Sequence, residues 1–119
     1  MKRGIITNNG QGIHISDGDI WMTAWELADL FYTTNGTIHA AIKRILKANV
    51  LRSHEVCKYI KLENGNNAGV YNLDMVIALS YQIDTGHSTT FRKWVTSKVQ
   101  SSRKNNVSFF VLLGDMFYC

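Results

Sequence analysis

Apolar side chains recur at helical spacing over residues 27–31, directly after a sequence typical of a helix start. Thr23-Ala24-Trp25-Glu26 has the arrangement of a capping box, in which the threonine oxygen accepts a free backbone amide while the glutamate reaches back. Leu27, Leu30 and Phe31 then share one helix face, and the pattern stops at Tyr32-Thr33. This predicts a first helix of about eight or nine residues.

A second helical pattern follows almost at once. Thr34 or Asn35 is suited to cap its start, and apolar residues then repeat at positions i, i+3, i+4 and i+7. The predicted buried positions are Ile38, Ala41, Ile42 and Ile45. The remaining positions form a polar, basic and exposed surface, here called the basic stripe, which comprises Asn35, Gly36, His39, Ala40, Lys43, Arg44 and Lys47.

Alternating patterns on either side of these helices predict strands. Gly12–Ile15 and Ile20–Met22 flank the turn sequence Ser16-Asp17-Gly18-Asp19, which predicts a first hairpin. Val56–Glu63 mixes β-branched, aromatic and charged residues, and Val70-Tyr71 follows a turn rich in Gly and Asn. This predicts a second hairpin.

Two further helices are predicted after the second hairpin. The first begins near Leu73 and is apolar nearly all round, so we expect it to be largely buried. The second carries Phe91, Trp94 and Val95 on its apolar side, with Ser88 as its predicted N-cap. The resulting order, ββ-α-α-ββ-α-α, indicates an α+β fold.

Two short helices joined by three residues, the second with a basic outer face, are the layout of a helix-turn-helix. With a hairpin behind them, they predict a small winged-helix-like domain that has two short β-hairpins and two C-terminal helices. We expect residues 1–104 to form this DNA-binding domain. Residues 105–119 then form a separate apolar tail that is truncated or diverged.

The net charge of +4 is concentrated in two blocks, residues 43–63 and 85–119. Such blocks could form one phosphate-binding surface or a solvated basic face. If DNA is bound, the start of the second helix faces base edges, its later cations contact phosphates, and the second hairpin adds contacts as a wing. The predicted DNA-contacting residues are Thr34, Asn35, Thr37, His39, Ala40, Lys43, Arg44, Lys47, Lys58 and Lys61.

Catalytic and metal sites find little support in the sequence. The two cysteines, Cys57 and Cys119, form no CxxC pair, and the four histidines have no ligand spacing, so we predict no metal and no cofactor. His54 and Cys57 are the one candidate nucleophilic pair, and no nearby residue orients the histidine. The chain is therefore predicted not to be an enzyme.

The number of cysteines and the hydropathy of the chain indicate where in the cell the protein is expected. Few cysteines and no signal peptide indicate a reducing compartment, with the cytoplasm as the expectation. The longest apolar stretch, Val107–Cys119, is shorter than the ~20 residues of a membrane span, so no membrane partner is expected. Trp21, Trp25 and Trp94 stand among apolar neighbours, which favours core packing over a role as stacking platforms for single-stranded nucleic acid.

The chain resembles the RhuM family of bacterial proteins, which is named for a virulence-associated locus. The resemblance is carried by Val70-Tyr71-Asn72-Leu73-Asp74-Met75-Val76-Ile77-Ala78-Leu79-Ser80-Tyr81 and by Thr89-Thr90-Phe91-Arg92-Lys93-Trp94-Val95-Thr96, and it covers about residues 20–100. Upstream, the family has a helix-turn-helix that aligns with Trp25 to Ile45. More distantly, the chain resembles phage antirepressor and BRO-type amino-terminal domains, which implies DNA binding.

Two positions depart from the family pattern. Tyr32 stands where the family has its turn glycine. Asn35-Gly36 stands where the family opens its recognition helix with polar residues of the Arg-Gln type. We therefore expect double-stranded DNA as the partner, with phosphate-dominated binding and a role in transcriptional regulation. The alternative is a protein-interaction module or virulence-associated adaptor without DNA binding, and the apolar tail could bury itself in a second copy to form a homodimer.

Overall fold

The computed structural model of the chain describes residues 2–102, and these confirm a mixed α+β fold. The strands are β1 (Arg3–Gly4), β2 (Ile6–Asn8), β3 (Ile13–Ile15), β4 (Asp19–Thr23), β5 (Cys57–Lys61) and β6 (Asn67–Asn72). The helices are α1 (Ala24–Phe31), α2 (Asn35–Lys47), α3 (Ser53–Val56), α4 (Leu73–Gln82) and α5 (Gly86–Ser102). The predicted tail, residues 105–119, lies outside the described residues, as do Arg103 and Lys104.

Within residues 2–102, six short strands form two sheets. The larger sheet has the order β1-β4-β6-β5, in which β1 runs parallel to β4 and the other pairs are antiparallel. The predicted second hairpin is confirmed as β5 and β6, with Cys57 opposite Tyr71 and Tyr59 opposite Gly69. A separate two-stranded sheet contains β2 and β3.

The predicted first hairpin is wrong in its pairing. A small hairpin does open the fold, but β3 pairs with β2, and β4 is instead an inner strand between β1 and β6. The turn at Asp17-Gly18 exists, with Gly18 at a φ of +109°, and a Cβ there would lie 2.7 Å from the carbonyl oxygen of Lys2. That close backbone approach directs β4 alongside β1, so both edges of β4 are occupied and β3 has no edge to join.

The first predicted helix is confirmed, together with its cap. The Thr23 hydroxyl accepts from the amide of Glu26, and the Glu26 carboxylate accepts from the amide of Thr23 at 2.8 Å. At the other end, Tyr32 adopts the left-handed conformation, with φ 52° and ψ 58°, and the Thr33 amide donates to the carbonyl of Ala28. Tyr32 therefore makes this turn in a conformation that costs tyrosine more free energy than it would cost glycine.

The second predicted helix is also confirmed, with Thr34 as its N-cap. All four predicted inward positions, Ile38, Ala41, Ile42 and Ile45, are buried. Helices α1 and α4 each contact both α2 and α5. The rings of Phe31 on α1 and Phe91 on α5 meet edge to face, with their centroids 5.7 Å apart.

The last helix begins earlier than predicted, and Ser88 is not its N-cap. The Thr85 hydroxyl accepts from the amide of Ser88, while the Ser88 hydroxyl accepts from the amide of Thr85, each at 3.0 Å. Thr85 is thus the capping residue, and Ser88 is its reciprocal partner inside the helix. The Thr85 hydroxyl also donates to the carbonyl of Phe31 at 2.7 Å, which joins the start of α5 to the end of α1.

Candidate nucleic-acid interface

The residues predicted to face base edges lie at the start of α2. The Thr34 hydroxyl accepts from the amide of Thr37 at 3.1 Å, and the two threonine hydroxyls are hydrogen-bonded at 2.9 Å. Thr37, His39 and Ala40 are exposed, whereas Asn35 is half-buried. The helix therefore presents a fixed first turn whose threonine hydroxyls are already paired with each other.

The cations of the basic stripe follow along the same helix. Lys43, Arg44 and Lys47 are exposed, and α2 contains no acidic residue. Within residues 2–102, none of these three side chains forms an ion pair. Arg44 donates through Nε to Oε1 of Gln82 at 3.3 Å, which leaves its positive charge uncompensated.

The two predicted wing cations differ in their surroundings. Nζ of Lys58 lies 4.1 Å from the centroid of the Trp21 ring, and Lys58 is half-buried. Lys61 is exposed at the end of β5, opposite Asn67. Of these two residues, Lys61 is the cation presented to solvent, while Lys58 packs on an aromatic ring.

A cleft of about 770 Å³ separates the start of α2 from the β5–β6 hairpin. The two elements contribute polar groups from opposite sides, with Asn35 and His39 on α2 and three asparagines on the hairpin. The lining residues are Arg3, Thr23, Ala24, Trp25, Glu26, Asn35, His39, Tyr59, Leu62, Asn64, Asn66, Asn67, Ala68, Gly69 and Tyr71. The structure therefore brings two of the predicted site residues to one concave surface.

The expected core packing of all three tryptophans is wrong for Trp25, whose exposed fraction is 72%. Trp25 follows the first residue of α1, and the exposed Asp29 stands four positions later on the same side of the helix. That spacing was available in the sequence. Trp94, by contrast, is half-buried and stacks on Phe91, and Trp21 is half-buried beneath Lys58.

Tyr59 is a candidate functional residue that sequence reasoning missed. Its exposed fraction is 80%, and its ring lies over Gly69, where an added Cβ would be 3.6 Å from Cε1 of Tyr59. Alternation along β5 places Tyr59 on the face opposite to Lys58 and Ile60. Of the three aromatic side chains that line the cleft, Trp25 and Tyr59 are exposed and Tyr71 is half-buried.

The floor of the cleft contains a paired charge. Arg3 donates to both carboxylate oxygens of Glu26, at 2.8 and 3.2 Å, and to the carbonyl of Trp21. Burial raises the pKa of Glu26, but the hydrogen bonds from Arg3 and from the Thr23 amide outweigh burial and hold the pKa below its ordinary value. Glu26 is therefore ionised at neutral pH, and its charge is compensated by Arg3.

Tyr71 and Cys57 lie across from each other beside the cleft. Burial raises the pKa of Tyr71, and the nearby Cys57 and Tyr59 raise it further, so its hydroxyl remains protonated at neutral pH. Burial also raises the pKa of Cys57, although a hydrogen bond with Tyr71 partly offsets the effect. The predominant form of Cys57 is the thiol, which is a weaker nucleophile than the thiolate.

Part of the second basic block supports the fold. Arg92 donates to the carbonyls of Ser80 and Ile83, which end α4, and to the hydroxyl of Thr89. The guanidinium also lies over the ring of Tyr81, 5.7 Å from its centroid. These contacts give Arg92 a structural role at the end of α4.

Across residues 2–102, no group of three or more His, Cys, Asp or Glu side chains could hold a metal ion. None of the helices in this part of the chain has both the length and the apolar character needed to cross a membrane. Comparison of the chain with protein-family models, with curated proteins and with solved structures found no match.

Proposed function

We propose that this chain is a DNA-binding protein that contacts duplex DNA through α2. The observation that carries the proposal is the basic stripe, in which Lys43, Arg44 and Lys47 are exposed on a helix without acidic residues. Cations clustered on one face of a helix can neutralise DNA phosphates and release counterions.

The arrangement around α2 supports a winged helix-turn-helix. A three-residue turn joins α1 to α2, and a hairpin follows with the exposed Lys61 at the end of its first strand. In such domains the second helix lies in the major groove and the hairpin contacts the backbone. Asn35, Thr37, His39 and Ala40 would then face base edges, and Lys58 contributes less than Lys61 because it packs on Trp21.

The proposal extends to the biological role only through the sequence resemblance. The RhuM-like and antirepressor-like motifs support a transcriptional regulator that acts on DNA in the bacterial cytoplasm. Because Asn35-Gly36 opens α2, we propose phosphate-dominated binding with modest sequence preference.

Salt dependence of duplex binding tests the proposal. If about five phosphates are neutralised, the affinity for a labelled duplex falls by roughly 500-fold between 50 and 200 mM salt. A Lys43→Glu, Lys47→Glu double variant should lose most binding at 50 mM salt. Lys93→Glu, Lys98→Glu is the matched control, because both residues are exposed cations on α5 and the net charge changes equally. Absence of duplex binding at low salt, or equal effects of the two sets of variants, contradicts the proposal.

The alternative function is a protein-interaction module that binds no DNA. Exposed Trp25 and Tyr59 support it, because aromatic residues are enriched at protein interfaces. A protein complex that survives Lys43→Glu, Lys47→Glu and is lost in Trp25→Ala, with no DNA affinity in either protein, would establish the alternative.

A further inference from the structure

Two large aromatic side chains from different elements are exposed in one cleft. Trp25 comes from α1 and Tyr59 from β5, and both line the cleft between α2 and the β5–β6 hairpin. The cleft volume of about 770 Å³ is within the range of roughly 300–1,000 Å³ that is usual for small-ligand sites. Both rings therefore offer flat apolar surface to a ligand of about that size.

Tyr59 lies beside Gly69 on one wall of the cleft. An added Cβ at Gly69 would be 3.6 Å from Cε1 of Tyr59 and 3.8 Å from the hydroxyl of Tyr71, which are ordinary van der Waals distances. The Tyr59 ring therefore packs beside β6, yet its exposed fraction is 80%. A ring that contacts a strand on one side and is otherwise exposed can stack with another planar group.

Polar groups surround these rings. Oδ1 of Asn35 is buried, and no described residue donates a hydrogen bond to it. Asn66, Asn67 and the protonated hydroxyl of Tyr71 add neutral donors and acceptors to the lining. The exposed amides of Asn66 and Asn67 are of the kind that pairs with the edges of nucleobases.

The charges around the cleft match a neutral base attached to phosphates. Inside the lining, Arg3 and Glu26 compensate each other. Outside it, Lys43 stands one helical turn beyond His39, and the adjoining depression is lined by both Lys61 and Glu63. A compensated interior with two lysines at its margins favours a nucleotide over a purely apolar peptide.

We propose that this cleft binds an unstacked nucleotide of single-stranded DNA. The base stacks on Trp25 and Tyr59, its edge pairs with the exposed side-chain amides of Asn66 and Asn67, and Lys43 and Lys61 contact the flanking phosphates. This inference deepens the proposed function, on which it rests, because both place DNA against α2. The predicted ligand is a single strand with exposed bases, whereas the proposed function concerns the duplex.

The experiment compares a labelled 12-nucleotide strand rich in dA and dC with the duplex of the same sequence. Binding of each to the full chain is measured by fluorescence anisotropy at 50 mM salt. Trp25→Ala and Tyr59→Ala should each weaken single-strand binding by about tenfold or more, with smaller effects on the duplex. Tyr81→Ala is the control, because Tyr81 is an exposed aromatic residue outside the cleft lining.

Intrinsic fluorescence provides a readout that a merely structural role would not change. Stacking of a base on Trp25 quenches its emission, so a saturating single strand should lower the tryptophan fluorescence of the unmodified chain. Trp25→Phe should keep affinity within about threefold, because phenylalanine also stacks, and should lose most of the quenching.

The binding results distinguish single-strand binding at the cleft from duplex binding through α2. Duplex binding without single-strand binding, or aromatic variants that bind the strand as the unmodified chain does, overturns this inference and leaves the proposed function standing. Absence of binding to either DNA overturns both proposals.

Discussion

Arg3 and Glu26 form a two-pronged ion pair, with Nη1 and Nη2 of the guanidinium 2.8 and 3.2 Å from the two carboxylate oxygens. Side-chain exposure is 17% for Arg3 and 25% for Glu26, so the pair is partly shielded from water. Glu26 also completes the capping box of α1. One carboxylate therefore joins β1 to the helix that begins the proposed DNA-binding unit.

Replacing Glu26 by Gln should lower the free energy of unfolding by about 1–3 kcal/mol, because the charge-assisted hydrogen bonds from Arg3 weaken. Urea unfolding at pH 7 measures the change. Asp29→Asn is the control, since Asp29 is an exposed acid on the same helix. Equal stability of the two variants would contradict a structural role for the ion pair.

The same ion pair predicts a pH dependence. The pKa of Glu26 is lower in the folded chain than its ordinary value of 4.5, so its stabilisation is complete above that value. It is lost as the pH falls through the lower, folded pKa. Unfolding followed from pH 7 to pH 3 should therefore show a steeper loss of stability in the unmodified chain than in Glu26→Gln. Parallel curves would refute this assignment.

The backbone of Tyr32 predicts a difference between two small substitutions. Tyr32→Gly and Tyr32→Ala both remove the ring, which stacks on His87 with centroids 5.2 Å apart, but only alanine keeps the cost of a positive φ. The glycine variant should therefore be more stable than the alanine variant by about 1–2 kcal/mol in urea unfolding. Equal free energies of unfolding for the two variants would mean that residue 32 does not hold a positive φ.

Substitution of Lys58 should mainly affect stability, whereas substitution of Lys61 should mainly affect DNA binding. Lys58→Ala loses the contact with Trp21 and should lower stability by about 0.5–1 kcal/mol, whereas Lys61→Ala should leave it within about 0.5 kcal/mol. In duplex titrations, Lys61→Ala should reduce the slope of log affinity against log salt by about 0.9, and Lys58→Ala by less. The reverse order would show that Lys58 is the wing cation.

Arg92 should matter for stability and not for DNA affinity. Arg92→Met removes the donor that satisfies the carbonyls of Ser80 and Ile83, and the expected loss is about 1–3 kcal/mol in thermal or urea unfolding. The adjacent exposed residue gives the control Lys93→Met, which should change stability by less than about 0.5 kcal/mol. A loss of duplex affinity in a still-folded Arg92→Met variant would place Arg92 at the interface instead.

Local signals predicted the helices well because each depends on neighbours in the sequence. The capping box at Thr23 and the four apolar positions of α2 need only residues three or four apart, and both are confirmed. The one-turn α3 was missed because it is too short to show a period. The cap of α5 was misplaced because Thr85 and Ser88 are reciprocal partners, and either could serve as the cap from sequence alone.

Strand pairing depended on the whole chain. The Asp17-Gly18 turn is a strong local signal for a hairpin, yet β4 pairs with β1 and β6, which come from distant parts of the sequence. Any strand of the chain can pair with a free strand edge. A turn sequence alone therefore cannot decide which two strands pair.

The sequence by itself determined the buried faces of α1 and α2 and the run of cations along α2. Only the tertiary structure decided which exposed groups meet. Asn35 and Trp25 line one cleft with Tyr59, which is distant in the chain, because β5–β6 lies across from α2. Helical periodicity assigns a side chain to a face within its own element, but the partner of that face is set by how the elements pack.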